Sequence, residues 1–262
     1  MPKPGTYHAG VPCWVVLTTP DTARAQAFYG ALFDWEFVPT GPDEAVATRY
    51  GAQVAAVERA RTDDPAGTRT PGARTPATWT TFLACPDPLR TLAAVRAAGG
   101  RLAREPYEVP EQGRAALAVD PLGARFGLWR AGTIDGAGLV DEPGAFAWNE
   151  HLSPDPDAAR AFYLRVLGYG YDRPRAGHTL ARVAGLPACS IGPARPGEEA
   201  RWLVHFATAD TDRTAERLRA LGGTVVTGPA PAPFGRTALV RDDAGAEFVL
   251  VAVPARDSAA VA

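Results

Sequence analysis

Pro20-Asp21-Thr22-Ala23-Arg24-Ala25-Gln26-Ala27-Phe28-Tyr29 returns later in the chain as Pro154-Asp155-Pro156-Asp157-Ala158-Ala159-Arg160-Ala161-Phe162-Tyr163, 134 residues on. The apolar tail follows it, Leu32-Phe33-Asp34-Trp35 against Val166-Leu167-Gly168-Tyr169. Self-similarity at a long period marks a repeated structural unit. Further out, Trp79, Asp87 and Gly99-Gly100 find partners in Trp202, Asp210 and Gly222-Gly223 at an offset of 123. Asp120-Pro121-Leu122-Gly123-Ala124-Arg125-Phe126 then matches Asp242-Asp243-Ala244-Gly245-Ala246-Glu247-Phe248 at 122. The drop from 134 to 123 places an 11-residue excess in the first copy, within residues 59–78. That stretch is rich in Pro, Gly, Thr and Arg and is expected to be a surface loop able to act as a lid. The 262 residues therefore divide into a first domain at 8–132, a Gly- and acid-rich linker at 133–145, and a second domain at 146–254.

Periodicity alternates between strand and helix inside each copy. Residues 13–18 and 147–152 alternate as strands; Asp21 and Asp155 then open helices with apolar i, i+3, i+4 spacing, running to about Leu32 and Leu167. Short β-rich runs follow at 46–50 with 53–57, and at 179–183 with 188–191. The order then restarts: strands at 79–84 and 202–208, helices at 88–98 and 211–221 closed by Gly-Gly, and hairpins at 115–119 with 126–129 and 237–240 with 248–251. The expected fold is α+β, with four βαβββ modules in tandem, two per domain.

Composition removes several function classes. A net charge of −2 offers no field for nucleic acid or anionic lipid. No apolar run reaches the roughly 18 residues of a membrane helix, and the N-terminus has no apolar core of a signal peptide, so a cytoplasmic protein is expected. Cys13, Cys85 and Cys189 are odd in number and far apart, which suits small reduced core residues better than disulfides or a zinc site. Phosphate-loop, dinucleotide and nucleophile-elbow motifs are absent.

On the Asp-x(6)-Phe-Tyr signature, the Trp–strand–Asp–helix–Gly-Gly unit and the Asp-x-x-Gly hairpin, each present twice and in order, the chain resembles the vicinal-oxygen-chelate superfamily of glyoxalases, bleomycin-resistance proteins and extradiol dioxygenases. The resemblance covers almost the whole chain. It implies curled half-barrel sheets whose paired modules enclose a cup, hence two cups. It also implies a metal held by His, Gln or Glu at fixed positions. Those positions here carry Trp14 and Trp148, Gly127 and Val249, residues near Thr81 and Val204, and residues around 55–57 and Ile191. Indole, methyl and hydrogen do not chelate a divalent cation, so neither metal nor other cofactor is expected. A shifted Glu150/His205/Glu247 set would be the exception, but the first copy has Val16, Phe82 and Arg125 in those places. His8, His151 and His178 show no recognisable partners and are read as surface or packing residues.

Trp14, Trp148, Trp79 and Trp202, with Val16, Glu150, Arg125, Glu247 and His205, are therefore the candidate ligand-binding residues. An indole platform stacks on a flat ring and adds about 0.5–1.5 kcal/mol beyond area burial. The chain also resembles metal-free two-domain members of actinobacterial antibiotic clusters such as the anthracycline cluster, which implies a protein that sequesters or carries a planar aromatic natural product. Such a protein would serve resistance or relieve product inhibition of a tailoring oxygenase. The alternative is a metal-free cyclase, isomerase or hydrolase with Glu150 or His205 as general base and Arg125 or Tyr163 polarising a carbonyl. A protein without a dedicated ligand is the third reading. Because the fusion already supplies two copies, a monomer is expected.

Overall fold

The computed structural model describes residues 7–60, 76–175 and 177–253. Most of the long first-copy loop, and residue 254 at the end of the second expected domain, lie outside these residues. The first half runs β1 (Pro12–Thr19), α1 (Thr22–Phe33), β2 (Glu36–Gly41), β3 (Glu44–Arg49), β4 (Ala52–Arg59), β5 (Thr78–Ala84), α2 (Pro88–Ala97), β6 (Arg101–Val109), β7 (Gly113–Val119) and β8 (Arg125–Ala131). The second half repeats it as β9 (Phe146–Ser153), α3 (Pro156–Leu167), β10 (Gly170–Tyr171), β11 (Thr179–Val183), β12 (Leu186–Pro193), β13 (Arg201–Thr208), α4 (Thr211–Ala220), β14 (Thr224–Ala232), β15 (Gly235–Arg241) and β16 (Glu247–Ala252). No helix among the described residues is long and apolar enough to cross a membrane. All three cysteines are buried and free.

Local chemistry starts and stops the helices. Asp21, Asp87, Asp155 and Asp210 each accept a hydrogen bond at 3.0 Å from the backbone N–H three residues on. Each cap contributes about 1 kcal/mol. The Gly-Gly pairs answer two separate demands. Gly99 and Gly222 take φ of +87° and +91°, and a Cβ on Gly100 or Gly223 would lie 2.8 or 2.7 Å from a strand carbonyl.

Each half forms one eight-stranded sheet, ordered β2-β3-β4-β1-β5-β8-β7-β6 and β10-β11-β12-β9-β13-β16-β15-β14. The modules of one half join through antiparallel β1–β5 or β9–β13 pairing. Val46 on β3 and Tyr107 on β6, near opposite ends of the first sheet, line one cavity, so this sheet curls into a cup. This cup thus belongs to the first half alone.

The other faces, with the helices, pack against each other. One core cluster joins the first module to Val204, Phe206, Leu218 and Phe248 of the fourth, and another joins the second module to the third. A repeated polar relay crosses this interface. Trp79 Nε1–H donates to Tyr29 Oη (3.0 Å), which donates to Asp242 Oδ2 (2.9 Å). Trp202 Nε1–H likewise donates to Tyr163 Oη (2.9 Å), which donates to Asp120 Oδ2 (3.1 Å). The Tyr, Trp and Asp of the repeated signatures are therefore among the residues that tie one half to the other, beside the Thr81–Asn149 and Tyr169–Gly10 hydrogen bonds. Burial raises the Asp242 pKa above its ordinary value, although Tyr29 and the Ala244 and Ala246 amides favour the ionised form.

The relays correct three expectations. Trp79 and Trp202 are interface residues whose indole N–H groups are satisfied in the core, on the faces opposite the cups. Tyr163 is fully buried there and cannot reach a cup ligand. His151 is not a partnerless residue: it is fully buried, with Nε2 2.7 Å from Asp120 Oδ2 across the interface.

Candidate functional site

Strand alternation sorts the residues of β1: Trp14 and Val16 face the cup, while Cys13, Val15 and Leu17 face the helices. Register then decides the neighbours. Trp14 opposes Phe82, Val16 opposes Ala56 across parallel β4, and Phe82 opposes Gly127 on β8. Gly127 is required there, since a Cβ would fall 2.1 Å from the Phe82 ring. Around these residues lies a cavity of about 180 Å³, also lined by Trp129, Tyr107, Glu58 and Arg104. It is smaller than the roughly 300–1,000 Å³ of pockets for drug-sized ligands, so it suits a ring system more than a bulky whole molecule.

Polar groups sit at one side of this aromatic floor. Thr18 Oγ1–H donates to Glu58 Oε1 at 2.9 Å. Burial raises the Glu58 pKa, and Glu44, directly opposite in register, adds to the rise; Thr18, Arg104 and Arg125 oppose it. The Arg104 guanidinium lies 3.4 Å from the centre of the Tyr107 ring, and burial pushes that phenol up to about 12. Arg125 shares its strand face with Gly127 and Trp129 and acts on the cavity through its charge.

The second cup has the same frame and different chemistry. Trp148 stands where Trp14 does, but Val16, Ala56 and Phe82 are replaced by Glu150, Ser190 and His205. Ser190 Oγ accepts from Trp148 Nε1–H at 3.0 Å and donates to Glu150 Oε1 at 3.1 Å. His178 Nε2 lies 3.4 Å from Glu150 Oε1, and His205 Nε2 lies 3.7 Å from Oε2. Burial alone would raise the Glu150 pKa, but His205, His178 and Ser190 together hold it below the ordinary carboxylate value. Gly192 makes room for this cluster, because a Cβ there would sit 2.2 Å from the His178 ring. Glu247 is engaged elsewhere, 2.6 Å from Arg241 Nη2 and 3.4 Å from Arg201 Nε.

Of the sequence candidates, Trp14, Val16 and Arg125 gather at the first cup and Trp148, Glu150 and His205 at the second. His178, expected to be a surface or packing residue, belongs to the second cluster. Phe82, Trp129, Tyr107, Glu58 and Arg104 were not singled out as ligand-binding residues, although alternation along their strands and the match of Phe82 with His205 point to them. Metal positions placed near Thr81, Val204 and Ile191 shift by one residue: these three face the interface, and Phe82, His205 and Ser190 face the cups. The cup-facing sets are then Trp14, Phe82, Ala56 and Gly127 in one half, and Trp148, His205, Ser190 and Val249 in the other. The first contains no donor, and the second contains one imidazole and a hydroxyl already bonded on both sides. Glu150, His205 and Glu247 do not converge, and among the described residues no group of three or more His, Cys, Asp or Glu is arranged to hold a metal. The residues at the family's chelating positions do not fit a divalent cation, and the Glu150, His178 and His205 cluster beside them is not arranged to hold one.

Comparison with known proteins matches residues 13–128 to the Glyoxalase/Bleomycin resistance protein/Dioxygenase superfamily and residues 149–251 to a glyoxalase-like domain. The protein CFP32 of Mycobacterium tuberculosis, which carries a glyoxylase name, is 36% identical over 260 residues, covering 95% of this chain and 97% of its own. The anthracycline biosynthesis protein DnrV of Streptomyces peucetius is 36% identical over 262 residues, covering 94% of each chain. The Mn(II)-bound glyoxalase of Novosphingobium aromaticivorans superposes with a TM-score of 0.65 at 20% identity, over 94% of this chain and 83% of its own. At that identity the likeness is one of fold.

Proposed function

This chain belongs to the Glyoxalase/Bleomycin resistance protein/Dioxygenase superfamily, and from that premise we propose that it binds and holds a planar aromatic small molecule in its first cup. The observation that carries this reading is the ring of Trp14, Phe82, Trp129 and Tyr107 around one cavity, where the chelating positions of the family hold no donor. A ligand burying on the order of 300 Å² of apolar surface gains about 7 kcal/mol at ~25 cal/mol per Å². Stacking on an indole adds about 0.5–1.5 kcal/mol, and association costs subtract from the sum. The affinity is therefore no tighter than about micromolar, roughly −8 kcal/mol. Glu58 and Arg104, which line the cavity, supply hydrogen-bonding groups for oxygen substituents at the ring edge, and Thr18 fixes the Glu58 carboxylate.

The similarity to an anthracycline biosynthesis protein makes polycyclic aromatic polyketides the first ligands to test. In a producing cell, holding such a product lowers its free concentration and relieves product inhibition of a tailoring oxygenase. Titrating intrinsic tryptophan fluorescence with an anthracyclinone and simpler anthraquinones tests the reading. Trp14→Ala should weaken binding about tenfold or more, from the lost stacking and contact area. Unchanged affinity in that variant, or conversion of the ligand by the wild-type protein, would overturn it.

A further inference from the structure

The segment between the halves is bonded along its length to both of them. At its start it grips the tip of the β6–β7 hairpin. The Gly132 and Ile134 N–H groups both donate to Gln112 O, at 3.0 and 3.2 Å, and Thr133 Oγ1–H donates to Glu111 O. Trp129 Nε1–H donates to Ile134 O at 2.9 Å, and Trp129 also lines the first cup. Further on, Ala137 N–H donates to Cys13 O and Gly138 N–H to Gln53 O, each at 2.8 Å, near the starts of β1 and β4. Gly136 takes φ of +150°, and a Cβ there would fall 2.5 Å from Cys13 O, so only glycine lets the chain pass this close. The far end is tied to the second half: Gly144 N–H donates to Ala207 O, and Ala207 N–H to Ala145 O, both at 2.9 Å.

The hairpin tip gripped in this way covers the first cup. Val109, Pro110 and Gln112 from one edge of the sheet and Thr40 from the other line the same cavity. At about 180 Å³ it falls below the roughly 300–1,000 Å³ of pockets for drug-sized ligands, and moving a tip would enlarge it. The β2–β3 tip is fastened to β4, since Arg59 Nε–H donates to Asp43 Oδ1 at 2.8 Å and Arg59 N–H to Asp43 O at 3.0 Å. The β6 side is built to give. It is an edge strand whose pairing with β7 shifts register twice between Leu102 and Tyr107, and Pro106 in that stretch has no N–H for a ladder bond. At the tip, Glu111 takes φ of +62°, a conformation that a residue other than glycine keeps only when its surroundings hold it.

We infer that residues 107–112 are a gate over the first cup, hinged at residues 104–106, and that residues 132–138 are the strap that holds it shut. One side chain serves both parts, because Trp129 is a wall of the cup and an anchor of the strap. The second half takes part without lining the cavity, by fixing the strap's far end. The inference rests on the first cup taking a ligand, as proposed above, whatever that ligand is.

The test uses the full chain with Thr133→Val, which removes the exposed Oγ1 donor, and Thr133→Ser, which keeps it. Without any ligand, amide hydrogen exchange at Gly132 and Ile134 reads the strap directly. Thr133→Val should speed both about three- to tenfold, the scale of one hydrogen bond, leave the β7–β8 ladder unmoved, and be matched by wild-type rates in Thr133→Ser. With 1,4-dihydroxyanthraquinone as probe, stopped-flow tryptophan fluorescence reads the gate. Thr133→Val should raise the association and dissociation rate constants by the same factor and leave the equilibrium affinity unchanged. Exchange that ignores Thr133→Val, or that quickens only together with the β7–β8 ladder, would overturn the strap. Faster exchange with unaltered binding rates, or an affinity that shifts through one rate constant alone, would overturn the gate. Failure of the probe to bind would count against the first-cup reading instead, and the exchange arm would still decide whether the strap opens as a unit.

Discussion

Tyr29→Phe removes one oxygen atom from the centre of the domain interface and tests what holds the halves together. The ring remains packed among Trp35, Trp79 and Phe248, so the change isolates the hydroxyl. Two bonds go at once: the 2.9 Å donation to Asp242 and the 3.0 Å acceptance from Trp79. Losing a hydrogen bond to a carboxylate costs about 2 kcal/mol and stranding a buried indole N–H about 1–2, for a total of about 3–4 kcal/mol. For a chain of this length that lowers the melting temperature by roughly 10 °C.

The symmetric substitution is an internal control. In Tyr163→Phe the carboxylate of Asp120 keeps His151 at 2.7 Å, so its penalty should be smaller by about 1–2 kcal/mol. There is also a pH signature. Burial already raises the folded-state pKa of Asp242 above 3.8, and losing the Tyr29 donor raises it further. A raised acid pKa means that stability falls as pH climbs from 3.8 through the folded value, so the Tyr29→Phe penalty should be larger at neutral pH than near 3.8. Guanidinium unfolding followed by tryptophan fluorescence and far-ultraviolet circular dichroism measures all three quantities. A Tyr29→Phe penalty below about 1 kcal/mol, or one no larger than that of Tyr163→Phe, would refute the assignment of the relay as the main polar tie.

Gly127→Ala should destabilise the protein by about 1–3 kcal/mol, because the new methyl can be housed only by turning Phe82 into the first cup. The same variant should lose first-cup ligand binding; a melting curve and a titration check both, and a neutral result in each would disprove the tight packing. Glu150→Gln should destabilise the chain at neutral pH, since the folded-state pKa of Glu150 is lowered. That contribution is present above the ordinary value of 4.5 and vanishes as pH falls through the lowered folded value. The gap between wild type and variant in denaturant unfolding should therefore close on acidification, and a gap that widens below 4.5 would contradict it.

The duplication was legible because its markers act locally: an Asp at each helix start, a Gly-Gly at two helix ends, and an apolar period that changes from two to nearly four. The edge strands β2, β6, β10 and β14 were not delimited, for reasons visible in their residues. Val38, Pro39 and Thr40 in β2 are exposed, and Pro106 interrupts β6, so neither strand writes a clear alternation. The large histidine miss has another origin. His178 precedes β11 with nothing beside it in sequence to suggest a partner, and only the parallel pairing of β12 with β9 brings Gly192, and the ring above it, next to Glu150.

By itself, then, the sequence determined four βαβββ modules in two repeated pairs, because that pattern follows from short-range periodicity, whereas the cup-facing positions of Trp14 and Trp148 were implied by the family resemblance. Tertiary structure alone decided which face is a cup and which an interface for every other strand. Register sets this, and a slip of one residue exchanges the faces: Thr81 for Phe82, Val204 for His205, Ile191 for Ser190. The same long-range pairing gave Trp79 and Trp202 to the interface relays and made the two cups chemically unlike.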